Sequence, residues 1–145
     1  ALAAFHAALM SVGVGHYNLL RLSSVIPPRT RVVPAAEPYA GEGTWGDRLY
    51  CVYAEQRTST PGEEAWAGVG WVQRADGGGG LLVEHEGGSE HFVTEAVLSS
   101  LRDLVSHEPG EWTEPDLVVT GGRCHGTPLC ALVLVPFQLE SWRAV

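Results

Sequence analysis

The sequence predicts an α+β domain in which two layers of mainly antiparallel strands lie between helices, a layered αββα-type sandwich. Alternating apolar and polar residues over 64–74 are typical of a half-buried strand, and other strand-like runs surround them. One segment at the N-terminus and one after Ser89 carry apolar residues at helical spacing instead. Since no repeat or linker divides the 145 residues, we expect a single domain over 1–145.

The first part of the chain combines a short helix with strand-like segments. Helix formers with apolar residues at helical spacing predict a helix over 1–12, which the run Gly13-Val14-Gly15 ends. The segment 18–24 is typical of a buried strand. It ends before Pro27-Pro28, because proline cannot donate to a sheet ladder. We expect a further strand at 31–33.

Strands dominate the middle and the end of the chain. β-branched and aromatic residues separated by turn residues predict five more of them. They lie at 47–57, 64–74, 81–86, 117–120 and 127–137. The glycine-rich segment 75–80 is expected to be a hairpin loop and Gly121-Gly122 a turn. The second helix is predicted to open at Ser89 and Glu90 and to end before Pro109-Gly110.

Composition excludes several function classes. All nine basic residues are arginine, against seventeen acidic residues, for a net charge of −8. Without lysine, the chain can neither anchor pyridoxal phosphate as an imine nor place a P-loop lysine on a phosphate. The acidic balance argues against nucleic acid or an anionic membrane as a partner. No apolar run approaches the ~20 residues of a membrane span, and we expect no signal peptide.

Cysteine and histidine spacing points to reduced thiols and no metal. Cys51, Cys124 and Cys130 contain no CxxC pair, so we expect a cytoplasmic protein rather than a disulfide framework or a zinc site. The six histidines contain no H-x-x-x-H or H-x-H pair, so a metal site is not expected.

The window 13–28 carries the residues that suggest chemistry. Asn18-Leu19 follows a Gly13-Val14-Gly15 turn, and Ser23-Ser24 precedes Ile26-Pro27-Pro28. Taken singly, a serine pair or an asparagine is common at strand ends and turns. Together, these residues resemble the pyruvoyl-dependent arginine decarboxylase family, whose pattern is a helix, a Gly-x-Gly turn, Asn-Leu, and Ser-Ser followed by an apolar residue and Pro-Pro. The resemblance extends less sharply over nearly all of the chain.

The resemblance implies self-cleavage between Ser23 and Ser24, into a small chain 1–23 and a large chain 24–145. In the family, the second serine attacks the preceding carbonyl, and the resulting ester is eliminated and hydrolysed to a pyruvoyl group. That cofactor, here derived from Ser24, forms a Schiff base with an amino acid substrate and accepts electrons as carbon dioxide leaves. Because a peptide bond is a poor electrophile, backbone strain and a donor to its oxygen must assist the attack.

The resemblance also implies roles for individual side chains. Asn18 matches the residue that polarises the scissile carbonyl, and Glu84 matches the glutamate that reprotonates the substrate. Glu86 lies on the same strand face, so alternation does not choose between the two glutamates, and either could be a solvated strand residue. The local match over Leu82-Val83-Glu84 favours Glu84 as the proton donor.

The substrate side of the site departs from the family pattern. His6, Gly15 and Ser23 match substrate-binding positions, but arginine-decarboxylating relatives carry an aspartate where this chain has His6 after Phe5. Histidine offers no bidentate carboxylate to a guanidinium. The small-molecule substrate is therefore an amino acid that can differ from arginine, with acidic, aromatic and smaller side chains as alternatives. An acid supplied by another subunit would instead preserve arginine, the substrate that the family converts to agmatine.

The resemblance further implies a homotrimer, or a multiple of one, with active sites shared between subunits. Trp45, Trp66 and Trp71 could serve such interfaces, although burial in the core explains them equally. Two alternatives to a decarboxylase remain. One is a structural or regulatory homologue of the same fold that does not self-process, and the other is an oligomer that binds a small ligand.

Overall fold

The computed structural model describes residues 1–142, which form two helices and seven strands. Helix α1 spans Leu2–Ser11 and helix α2 spans Glu90–Ser106. The strands are β1 (Asn18–Arg21), β2 (Val25–Ile26), β3 (Arg48–Thr58), β4 (Glu64–Gln73), β5 (Gly80–Gly87), β6 (Asp116–Arg123) and β7 (Leu129–Glu140). Within residues 1–142, neither helix is long and apolar enough to cross a membrane.

The strands form two sheets that pack face to face. Sheet A has the order β1-β3-β7, with β1 parallel and β7 antiparallel to β3. Sheet B has the order β2-β5-β4-β6, and all of its pairs are antiparallel. Helix α1 packs on the outer face of sheet A and α2 on the outer face of sheet B. This order of layers confirms the predicted αββα sandwich.

Each boundary between layers has its own apolar core. Val52 of sheet A and Val69 of sheet B are fully buried between the sheets. On the far side of sheet B, α2 buries Val97 and Leu101 against the strands. Gly70 allows this close approach, because a Cβ at that position would overlap the Val97 side chain. The spacing of the buried positions in α2 is the helical period that the sequence predicts.

The predicted strand at 31–33 is wrong, because these residues lie in the loop between β2 and β3. Prolines on both sides of the segment, Pro28 and Pro34, limit its capacity to join a sheet ladder. Val32 packs against the core between the sheets, whereas Val33 is 63% exposed. The apolar character of this segment therefore reflects side-chain packing rather than strand pairing.

The predicted turn at Gly121-Gly122 is also wrong, because both glycines belong to β6. In the register of sheet B, Gly121 lies opposite Trp66. A Cβ at Gly121 would overlap the Trp66 ring, so the glycine is needed for that ring to lie across the strand. The chain turns instead after Arg123, where the Cys124 amide donates to the Glu63 carbonyl oxygen at 2.7 Å.

The tryptophans considered as interface residues differ in exposure. Trp71 is 5% exposed and belongs to the core between the sheets, so its suggested interface role is wrong. Trp66 is half-buried against α2, whereas Trp45 is 79% exposed. Trp45 alone among these three presents a largely exposed ring to a possible partner.

Candidate active site

Ser23 and Ser24 lie where the chain crosses from sheet A to sheet B. The Leu22 amide donates to the Cys51 carbonyl oxygen in sheet A, at 2.9 Å. The Leu82 amide in sheet B donates to the Ser24 carbonyl oxygen, also at 2.9 Å. The peptide between Ser23 and Ser24 therefore lies on the path from a residue that is bonded to sheet A to a residue that is bonded to sheet B.

Ser24 carries the backbone strain at this crossing. Its φ is +75°, in the left-handed region that side chains other than glycine rarely adopt. Such a conformation costs roughly 1–2 kcal/mol. The predicted continuous strand over 18–24 is wrong, because β1 ends at Arg21 and β2 starts at Val25. β1 pairs with β3, whereas β2 pairs with β5. The strained residue Ser24 lies where the chain changes from one partner strand to the other.

The Ser24 hydroxyl is held by a carboxylate. Ser24 Oγ lies 2.7 Å from Glu84 Oε1 and 2.8 Å from Glu84 Oε2. Glu84 follows Leu82 by two residues on β5, so both side chains lie on the face directed towards sheet A. Glu86 is on the same face but exposed, farther along the strand. Of the two glutamates, Glu84 is the one positioned to accept the proton of Ser24.

His85, which motif reasoning did not select, links the strand of Glu84 to a helix. Its Nε2 lies 2.7 Å from Ser100 Oγ on α2. Alternation along β5 directs His85 to the opposite face from Glu84. From the sequence, this alternation is the pattern that indicates that His85 faces away from Glu84, towards a helix. This contact restrains β5 against α2 next to the glutamate.

The other residues implied by the resemblance lie elsewhere in the chain. Asn18 Nδ2 donates to the Gly46 carbonyl oxygen at 2.8 Å, and its position at the start of β1 is about 10 Å from Arg21 at the end. Gly15 packs under the Met10 side chain. His6 is exposed on α1, outside sheet A. The structure brings Ser23, Ser24 and Glu84 together and leaves Asn18, Gly15 and His6 apart from them.

A series of aromatic and guanidinium groups attaches the N-terminal segment to sheet A. The Arg21 guanidinium lies 4.0 Å from the centre of the Tyr53 ring, and it donates to the Tyr53 carbonyl oxygen at 2.6 Å. Phe5 on α1 packs at a ring distance of 6.1 Å from Tyr53, with Arg57 4.5 Å from the Phe5 ring. Such contacts add cation–π attraction to the β1–β3 ladder.

Cys51 and Cys130 do not provide a nucleophile at neutral pH, because the pKa of each thiol is raised. Burial raises the pKa of Cys51 to about 11. Burial, followed by the nearby Glu55 carboxylate, raises the pKa of Cys130 to about 11. All three cysteines are free thiols. Across residues 1–142, no group of three or more His, Cys, Asp or Glu side chains could hold a metal ion.

Comparison with known proteins places the chain in a family. Residues 1–139 match the family model described as pyruvoyl-dependent arginine decarboxylase (PvlArgDC). Relatives named pyruvoyl-dependent arginine decarboxylase include one from Halobacterium salinarum, 42% identical over 83 residues, which are 57% of this chain and 50% of the relative. The relative from Thermococcus kodakarensis is 28% identical over 139 residues, which are 92% of this chain and 85% of the relative. The chain belongs to the pyruvoyl-dependent arginine decarboxylase family.

Family membership implies a covalently bound pyruvoyl group as the cofactor. The residues at the crossing fit such a group, because a serine in a strained conformation has its hydroxyl directly on the Glu84 carboxylate. The chain spans about half the length of the curated Halobacterium salinarum relative that it matches.

The raised pKa of Cys130 predicts slow alkylation at pH 8. Since only the thiolate reacts, the rate should rise roughly tenfold per pH unit until it levels off near pH 11. Glu55→Gln removes the carboxylate that raises this pKa, so the thiolate fraction and the rate at pH 9 should increase. Iodoacetamide labelling of the Cys130 peptide, followed by mass spectrometry, measures both. Glu42→Gln, at an exposed loop position, is the control. Equal labelling rates of Cys130 in the wild-type, Glu55→Gln and Glu42→Gln proteins would contradict the effect of Glu55 on the pKa of Cys130.

Proposed function

We propose that this chain is a pyruvoyl-dependent amino acid decarboxylase that processes itself between Ser23 and Ser24. The observation that carries the proposal is the Ser24 hydroxyl on the Glu84 carboxylate, at a backbone crossing with positive φ. Relatives named pyruvoyl-dependent arginine decarboxylase support a decarboxylase of the same kind. A reducing cytoplasm would suit the three free cysteines.

In the proposed processing, Glu84 accepts the hydroxyl proton as Ser24 Oγ attacks the Ser23 carbonyl carbon. The C–N bond breaks, the nitrogen gains a proton, and an ester joins Ser23 to Ser24 Oγ. Loss of the Ser24 Cα proton then expels the Ser23 carboxylate and leaves dehydroalanine at position 24. Water adds and ammonia departs, which gives a pyruvoyl group at the start of 24–145 and a small chain 1–23.

The contacts of the small chain support its retention after cleavage. β1 keeps its ladder with β3, and α1 keeps its apolar face on sheet A. Arg21, two residues before the cut, remains bound to the Tyr53 carbonyl and ring. Cleavage also breaks the peptide bond that precedes the strained residue Ser24. The products of processing are therefore expected to remain one folded unit.

When present, the pyruvoyl group supplies a ketone that acts as an electron sink for decarboxylation. The chain's own contribution is the placement of Glu84. Before processing, this carboxylate contacts the Ser24 hydroxyl. Processing removes that hydroxyl, so Glu84 can then face the substrate and deliver a proton to its Cα. One half-buried glutamate would thus act first as a base and later as an acid.

We also propose that a neighbouring protomer completes the site, as in the homotrimer that the resemblance implies. Asn18 is separated from Arg21 by about 10 Å of strand, and its amide donates to Gly46 within the protomer. His6 lies on α1, Gly15 packs against Met10 of the same helix, and Glu84 lies on β5 of sheet B. Each chain would therefore supply Ser24 and Glu84 to one site and Asn18, Gly15 and His6 to the next.

For the substrate, we propose an amino acid whose side chain need not be a guanidinium. His6 is exposed on α1 and stands where arginine-decarboxylating relatives are expected to place a carboxylate. Without that carboxylate, the bidentate ion pair that favours arginine is not available at this position.

Glu84→Gln should slow processing, because the amide cannot accept the Ser24 proton. Loss of a general base costs roughly 10²–10⁴-fold in rate. The matched control is Glu86→Gln, which changes the same residue type on the same face of β5 but at an exposed position. A denaturing gel of freshly synthesised protein, sampled over time, measures conversion of the full chain into its fragments.

In this experiment, Ser24→Ala is the reference for a chain that cannot be cleaved. Equal cleavage rates in Glu84→Gln and Glu86→Gln would contradict the role of Glu84. An uncleaved wild-type chain would instead favour a homologue that does not self-process.

His6→Asp should raise the turnover of arginine, because a carboxylate at this position can pair with the guanidinium. A hydrogen-bonded ion pair is worth about 1.5–3 kcal/mol, which corresponds to roughly tenfold or more in kcat/KM. His6→Asn, similar in size but uncharged, should give no such gain. Release of carbon dioxide from each amino acid in turn measures the preference. If wild-type protein decarboxylates arginine alone and His6→Asp changes nothing, the proposed substrate difference is wrong.

A further inference from the structure

The segment that follows Ser24 has only a short ladder with sheet B. β2 consists of two residues, Val25–Ile26, and pairs with the start of β5. Pro27-Pro28 comes next, and proline has no amide hydrogen to donate to a neighbouring strand. The position of Ser24 therefore depends on the other contacts that hold the residues after it.

The loop between β4 and β5 (residues 74–79) holds this segment at two points. The Arg29 amide donates to the Gly77 carbonyl oxygen at 3.0 Å. Nearer to Ser24, the backbone of Gly79 lies so close to β2 that a Cβ at this position would be 2.8 Å from the Ile26 carbonyl oxygen. Gly79 also has a φ of +110°, which favours glycine. The close approach to Ile26 therefore depends on the absence of a side chain at position 79.

Hydrogen bonds hold the loop itself in place. The Arg74 amide donates to the Gly79 carbonyl oxygen, and the Gly78 amide donates to Asp76 Oδ1, both at 2.8 Å. The Arg74 guanidinium donates to the Pro109 carbonyl oxygen at 3.2 Å, which ties the loop to the segment after α2. Because the loop is anchored on this side, a Cβ at Gly79 would displace the backbone of β2 rather than the loop.

A displacement of Ile26 would reach the proposed proton transfer. Ordinary van der Waals contact begins at 3.4 Å, so the Ile26 carbonyl oxygen would have to retreat by about 0.6 Å from a Cβ at Gly79. Ile26 is two residues from Ser24, whose hydroxyl lies 2.7 Å from Glu84 Oε1. A general base acts within about 2.6–3.2 Å of the group that it deprotonates. A shift of this size at Ser24 is enough to take the hydroxyl out of reach of Glu84.

We propose that Gly79 is a positioning residue for self-processing. Its missing side chain lets the loop hold Ile26, and through Ile26 it keeps the Ser24 hydroxyl on Glu84. The step that it assists is the attack of Ser24 Oγ on the Ser23 carbonyl carbon, in which Glu84 accepts the proton. This inference rests on the proposed processing and adds to it a residue outside the Ser23-Ser24 motif.

Gly79→Ala should slow the conversion of freshly synthesised chain into 1–23 and 24–145 by about tenfold or more, because a misplacement near 1 Å costs on the order of 10²-fold. The matched control is Gly126→Ala. Gly126 has a similar φ, +114°, so alanine is equally strained there, but its Cβ position faces open space. Gly126 follows β6 where that strand pairs with the start of β4, whereas Gly79 follows the end of β4. Gly126→Ala should therefore process at the wild-type rate.

A double variant separates positioning from a general loss of structure. If Gly79 acts through the contact between Ser24 and Glu84, Gly79→Ala should slow the Glu84→Gln protein by less than about threefold. A purely structural effect would multiply with that of Glu84→Gln, because independent effects add in free energy. Thermal unfolding in the uncleavable Ser24→Ala background checks that each variant is folded.

Asp76→Ala gives a second test of the loop if Gly79→Ala does not fold. The Asp76 side chain is 69% exposed, so its loss leaves the core intact, but it removes the acceptor of the Gly78 amide. The loosened loop should slow cleavage roughly twofold or more, as expected for one lost hydrogen bond. Asp103→Ala, at an exposed position of α2, is the control and should have no effect.

Equal cleavage rates in folded Gly79→Ala and Gly126→Ala would overturn the positioning role, and so would multiplicative effects in the double variant. Neither result would affect the proposed processing. If Gly79→Ala is unfolded, equal rates in Asp76→Ala and Asp103→Ala would overturn the role. An uncleaved wild-type chain would overturn the processing itself, and this inference with it.

Discussion

The rest of the site depends on the short crossing of the chain from one sheet to the other. Leu22 is hydrogen-bonded to sheet A, and Ser24 is hydrogen-bonded to sheet B. The hydrogen-bonding partner changes from one sheet to the other within three residues, and Ser24 adopts a positive φ at this change. The bond to Leu82 also sets the register that brings the Ser24 hydroxyl to Glu84. Strain and a proton acceptor therefore coincide at one residue.

The layered fold explains how such a crossing can be cut without loss of the structure. Residues before it belong to sheet A through β1 and to the outer layer through α1, whereas residues after it start sheet B. Arg21, Tyr53 and Phe5 attach the first segment independently of the Ser23–Ser24 peptide bond. The same division separates Asn18 from Ser24 within one chain. That separation supports our proposal that a second subunit completes the site.

Local patterns predicted the parts of the fold that depend on local contacts. The cap of α2 is one example, since Ser89 Oγ accepts from the Phe92 amide at 3.0 Å, as the sequence around Ser89 indicates. The change of sheet between β1 and β2 could not be predicted, because it depends on β3 and β5, which lie far along the chain. The Gly121 strand position depends likewise on the distant Trp66 ring. The motif identified Ser24 and Glu84, but alternation alone could not separate Glu84 from Glu86.

We propose that the chain cuts itself at the strained crossing at Ser24 and generates its own carbonyl cofactor there. Intact mass measurement of the purified protein under denaturing conditions is the sharpest test. Self-cleavage would give a 1–23 fragment and a 24–145 fragment. The larger one is lighter by one ammonia than simple hydrolysis would give, and it lacks a free N-terminal amine. A single chain of 145 residues, or a large fragment that begins with unmodified Ser24, would contradict the account.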